Sequence, residues 1–131
     1  MWSLTLSATY CPSMRDRLGD RARVQHILEA IELIEGFMKG RSIEDLSSDA
    51  MLRFAVVKQL EVIGEAAARI TKETLGTEPA VPWKQVVHMR HVLVHDYYRI
   101  DVPTVWSTVT NDLGPLKQGI QRLLSMLPPA A

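Results

Sequence analysis

Apolar residues recur at the three-and-four spacing of one-sided helices along most of the chain. Val24, Ile27, Leu28, Ile31, Ile34 and Met38 mark the buried face of a first helix that begins near Arg15, passes through Gly36 and stops at Gly40. Asp49 is placed to cap a second long helix with the stripe Leu52, Val56, Leu60, Ile63, Ala67 and Ile70, and with Lys58, Glu61 and Glu65 on its polar side. Gly64 lies inside this helix, where glycine costs about 1 kcal/mol relative to alanine, so it predicts a close helix crossing rather than a break. Thr74 to Pro82 reads as a loop, and Pro82-Trp83 as the entry to a third helix expected to run to about Tyr97. Asp101 and Pro103 open a last helical region through Val102, Val105, Trp106, Val109, Leu113 and Leu116, which Gly114-Pro115 kinks or divides. The period resumes at Ile120, Leu123, Leu124 and Leu127 and ends at Pro128-Pro129. No stretch alternates as a strand would, so the expected fold is an all-α, up-down bundle of four or five helices. Residues 1–13 show no sustained period and read as a poorly ordered N-terminal extension, with Met14 as a natural start for a domain spanning 14–131.

A chain of 131 residues with 47% hydrophobic positions suffices for one domain with its own core. Fifteen basic and fifteen acidic residues leave no net charge, which argues against nucleic-acid binding by bulk electrostatics and confines any such chemistry to a local site. The single cysteine, Cys11, excludes an intrachain disulfide and a cysteine-based zinc cage. No apolar run approaches the ~18 residues of a membrane span, and the first ten residues lack a cationic start; a cytoplasmic protein without membrane association is expected. Arg15, Arg17, Arg21 and Arg23 form a basic face on the first helix, read as solvated.

One window concentrates reactive side chains: His88, Arg90, His91, His95, Asp96, Tyr97, Tyr98 and Arg99, with three of the four histidines of the chain. On a continuous helix His88, His91 and His95 fall within about 60° of one another. Three readings follow. The groups pack as a polar helix end; or His91 and His95, at i and i+4, join Asp96 or His88 around a metal; or Arg90 and His95 form a metal-free phosphodiester site. In the last, the imidazole moves a proton of the 2′-hydroxyl or leaving group and the guanidinium stabilises phosphoryl charge. Five residues apart on a helix, Arg90 and His95 point about 140° from each other, so a two-fold dimer is needed to gather both groups at one cleft.

Arg90, four residues, His95, one residue, Tyr97 resembles the signature of the HepT-like branch of the HEPN superfamily. Ile63-Gly64-Glu65-Ala66-Ala67, Pro82-Trp83, Met89-Arg90, Leu93-Val94-His95 and Trp106 agree in order, and the likeness covers about residues 15–125. The resemblance implies an all-helical homodimer that cleaves RNA without a metal or cofactor, as the toxin of a type VII toxin–antitoxin system of the HepT–MntA kind. It implies Arg90 and His95 as the ribonuclease pair and Tyr97 as the tyrosine to which a nucleotidyltransferase antitoxin transfers AMP from ATP. The sequence departs from the family at His91, where asparagine is common, which leaves His91 as an accessory candidate. The rival is a non-catalytic helical adaptor or nucleotide-binding subunit of a nucleotidyltransferase complex.

Overall fold

The computed structural model describes the backbone of residues 14–92, 94–96 and 99–129, and side chains from Gly19 to His91 and from Arg99 to Pro129. The N-terminal extension 1–13 therefore lies outside the described residues. Four principal helices carry the fold: α1 (Met14–Met38), α3 (Ala50–Ala68), α5 (Trp83–Val92) and α7 (Leu113–Met126). Shorter helices α2 (Ile43–Ser48), α4 (Lys72–Gly76) and α6 (Val102–Ser107) connect them. Helix α3 packs between α1 and α5, and α7 lies along α1. The expected all-α bundle is present, and the predicted apolar stripes form its core: Val24, Ile27, Ile31 and Ile34 meet Val56, Leu60, Ile63 and Ala67, closed by Ile120 and Leu123. Burying each of these larger aliphatic side chains contributes roughly 1.5–3 kcal/mol.

The helix ends follow their sequence signals. Gly40 takes a positive φ of 73° after α1, a conformation that costs glycine nothing. The Asp49 carboxylate accepts from the Leu52 amide at the start of α3, and Asp101 from the Thr104 amide at the start of α6. Gly114-Pro115 divides the last region, as expected, by widening the backbone: Thr108–Asp112 form a π-helical turn in which the Leu113 N–H reaches the Thr108 carbonyl. In an unbroken α-helix the Pro115 ring meets the carbonyl four residues earlier, and a wider turn removes that conflict.

Two elements depart from the sequence expectation. Helix α2 carries a signal that the hydrophobic pattern does not show, a reciprocal cap between Ser42 and Asp45. Helix α4 occupies the first part of the predicted Thr74–Pro82 loop, and a buried acid holds it. Asp20 of α1 is fully buried and its carboxylate accepts from the Thr71 amide at 3.0 Å and from the Thr71 and Thr74 hydroxyls at 2.6 Å each. The basic face of α1 is likewise committed to the fold rather than solvated: Arg21 donates to the carbonyls of Leu124 and Leu127 at the end of α7, and Arg23 to that of Arg69. Arg15 and Arg17 lie outside the described side chains.

Removing the Asp20 acceptor strands two hydroxyls and an amide, so Asp20→Ala is expected to lower stability by about 2–3 kcal/mol in urea unfolding. Lys117→Ala, which breaks a surface pair with Glu35, should cost much less. Equal losses would contradict this ranking. Arg122 holds the Glu78 carboxyl below the usual glutamate range through hydrogen bonds of 2.7 and 2.9 Å, with burial opposing. A carboxyl depressed on folding adds stability above its unfolded value and loses it as pH falls through the folded one. The deficit of Glu78→Gln relative to wild type should thus be present at pH 7 and disappear in acid below the glutamate range; a pH-independent deficit would contradict the assignment.

Candidate active site

Helix α5 is fixed at three places. The Trp83 indole N–H donates to the Glu78 carbonyl at 3.0 Å and anchors its start, and Val86 and Met89 are buried along its inner side. The third is the crossing with α3. A Cβ added to Gly64 would stand 3.0 Å from the Arg90 amide nitrogen, 3.2 Å from the Arg90 Cβ and 3.2 Å from the Val87 carbonyl oxygen. The glycine that interrupts no helix therefore lets the α5 backbone come against α3 at Arg90 itself, the close crossing its position predicts.

That approach delivers the Arg90 side chain to the next residue of α3. Its Nη1 donates to the Glu65 carboxylate at 3.1 and 3.4 Å, and its Nε donates to Nε2 of His91 at 3.2 Å. The latter bond requires a neutral His91 whose Nε2 carries the lone pair. The His88 and His91 rings meet edge to face, 6.2 Å between centroids. Arg90 and Glu65 are 33% and 49% exposed, so the guanidinium sits at the surface with one side wet. From Glu65 an open groove of about 430 Å³ continues between α1 and α3, lined by Arg23, His26, Lys58, Glu61 and Arg69. A more enclosed apolar cavity of about 380 Å³ lies against Val86 and Met89 of α5 and Leu116 of α7, with Asp112 and Arg122 as its charged lining groups. The imidazoles beside Arg90 do not line it.

The third helix does not reach Tyr97. It ends at Val92, and Val94–Asp96 form a short strand β1 paired antiparallel with β2 (Arg99–Ile100), in the register Val94 to Ile100 and Asp96 to Arg99. β-branched Val94 and Ile100, paired across the two strands, favour extended backbone, and this outweighs the helical spacing. The expectation of no strands is corrected accordingly. So are the single face shared by His88, His91 and His95, the i, i+4 metal pair of His91 and His95, and the 140° separation from which a dimer was deduced, since each needs an unbroken helix. His88, Arg90 and His91 are brought together on α5. The backbone of His95 lies on β1, its side chain outside the described ones, and Tyr97 and Tyr98 lie outside the described residues. Glu65, read from sequence as part of the polar face of its helix, is the partner that the pattern missed; the signal was its place directly after Gly64.

The family model for ribonuclease HepT-like proteins matches residues 27–123. The chain belongs to that family. A "Probable ribonuclease HepT" from Thermococcus cleftensis is 39% identical over 100 residues, covering 76% of this chain and 91% of that protein. A candidate RNase from Caldanaerobacter subterraneus is 34% identical over 104 residues, covering 79% of this chain and 93% of the relative. A Methanocaldococcus jannaschii protein named for a gamma-glutamylcyclotransferase and a candidate RNase is 34% identical over 104 residues, 79% of this chain and 47% of that one. No solved structure matches the chain significantly. Among the described residues no helix is long and apolar enough to cross a membrane. In this HepT-like ribonuclease Arg90 is the residue that α5 presents at its close crossing with Gly64 of α3.

Gly64→Ala tests that packing. Alanine gains about 1 kcal/mol of helix propensity, but the added methyl meets backbone, which does not yield, and overpacking typically costs 1–3 kcal/mol. Gly64→Ala is expected to be destabilised and to displace Arg90, whereas Gly36→Ala, whose Cβ meets nothing within 4 Å, should gain about 0.5–1 kcal/mol. Thermal melts of both variants check the contrast, and stabilisation by both would refute the close crossing.

Proposed function

We propose that this protein is a metal-independent RNA endonuclease, the toxin of a toxin–antitoxin pair, acting as a homodimer. The observation that carries the reading is Arg90, held half-exposed at the α3–α5 crossing in a chain of the ribonuclease HepT-like family. In the proposed reaction the 2′-hydroxyl of RNA attacks the adjacent phosphorus and the 5′-oxygen leaves. His95 takes the hydroxyl proton or gives one to the leaving oxygen, and Arg90 neutralises charge on the phosphoryl oxygens. His91 holds Arg90 through Nε and serves as an accessory group.

The dimer is supported by one helix face. Met51, Phe54, Lys58, Glu61 and Glu65 lie within about 80° on α3, and Met51 and Phe54 are 77% and 57% exposed. A self-complementary contact along that face buries the apolar end and carries two copies of the Glu65–Arg90 pair toward one axis. Control follows from charge: transfer of AMP to Tyr97 by a nucleotidyltransferase antitoxin places a phosphate and a nucleoside two residues from His95, repelling RNA and filling the cleft.

Cleavage of RNA by the purified protein should persist in EDTA and fall by at least ~10²-fold in Arg90→Ala and in His95→Ala, both still folded and dimeric. Undiminished cleavage in both variants contradicts the site, and loss on chelation with return on adding zinc contradicts metal independence. With the neighbouring nucleotidyltransferase and ATP, intact mass should rise by whole AMP units in wild type and not in Tyr97→Phe. A mass rise in a protein that cuts no RNA would favour the adaptor reading.

A further inference from the structure

Arg90 is a long, flexible side chain whose usefulness to a phosphoryl group depends on where it is held before RNA arrives. An arginine free at the surface gives up much rotamer freedom when it is fixed in one geometry. Three features fix this one in advance. The Gly64 contact sets the height of the Arg90 backbone on α3, Glu65 receives Nη1 one residue later on the same helix, and His91 receives Nε from α5. The carboxylate meets Nη1 and the imidazole meets Nε, so the group is restrained from two sides with Nη2 outside both contacts. The pair is too exposed to matter much for folding, as surface ion pairs contribute little. A tether of small structural value at this place is explained by what it aims.

We propose that Glu65 is a positioning residue of the ribonuclease site, which acts through Arg90 by pre-orienting its guanidinium for the scissile phosphate. This rests on the reading of Arg90 as the phosphate-binding group. Glu65 itself touches no substrate. Its negative charge opposes RNA binding, so its removal should weaken catalysis without weakening association; a group that merely maintains the fold, or merely competes with RNA, behaves otherwise.

The test is a mutant cycle on an oligoribonucleotide, with kcat, KM and the melting temperature measured for each purified protein. Glu65→Ala is expected to lower kcat about 10-fold, with KM equal or smaller and the melting temperature within about 2 °C of wild type. Glu65→Gln, which keeps an acceptor for Nη1, should recover part of the lost rate. In an Arg90→Lys background, whose ammonium lacks the fork that Glu65 aligns, Glu65→Ala should change kcat less than about 2-fold. An unchanged kcat for Glu65→Ala overturns the proposal, as does a fall in KM alone. An equal loss in the wild-type and Arg90→Lys backgrounds also overturns it, since Glu65 would then act independently of the arginine. Should Glu65→Ala fail to fold, Glu65→Gln and Glu65→Asp carry the same comparison. If Arg90→Ala itself leaves cleavage intact, the assignment of the site fails first, which separates the two failures.

Discussion

The absence of a side chain at Gly64 is the constraint on which the site depends. Two helix backbones meet where a methyl group has no room, and the residue on the far side of the contact is Arg90. The height of the guanidinium along α3 and its reach to Glu65 follow from this approach. The usual cost of glycine in a helix is accepted where the close crossing returns a fixed arginine.

Around that crossing the bundle separates rigid support from exposed chemistry. Core residues of α1, α3 and α7 are fully buried, while the polar face of α5 opens to solvent at His88 and His91. Charges elsewhere serve the frame. Arg21 and Arg23 bind carbonyls of other helices, Asp20 holds the Thr71–Thr74 turn, and Glu78 binds Arg122 of α7. A chain with no net charge thus spends many of its ionic groups on structure, and Arg90 stands among the few placed at a candidate reaction centre. In the proposed function RNA affinity is local and modest, and the proposed homodimer would strengthen it by doubling the arginines at one cleft.

Much of this was legible in the residues. The three-and-four period located α1, α3 and the α6 to α7 region because each buries one continuous face, and Asp49, Asp101 and Gly40 marked their limits through local hydrogen bonding or backbone freedom. Gly64 pointed to a close crossing, and the motif arginine stands there. The misreadings arose where short-range signals competed. Helical spacing carried the third helix past Val92, whereas β-branched residues and the pairing of Val94 with Ile100 turn the chain into strands. Helices α2 and α4 are too short to show a period and depend on side-chain caps, and for α4 on a buried acid 51 residues away from Thr71. Glu65 was hidden for a related reason: a glutamate on a polar face is indistinguishable from its neighbours until the fold shows which cation lies across from it.

The proposed homodimer is read as gathering Arg90 and His95 of its two copies at one cleft. Mixed dimers made from Arg90→Ala and His95→Ala proteins test it most directly, because such a dimer retains one arginine and one histidine on opposite chains. The measurement is the RNA cleavage rate of the purified mixed dimer beside each parent dimer. The account predicts cleavage by the mixed dimer well above either parent; a mixed dimer as inactive as its parents would show that each chain needs both residues of its own, and would contradict the shared cleft.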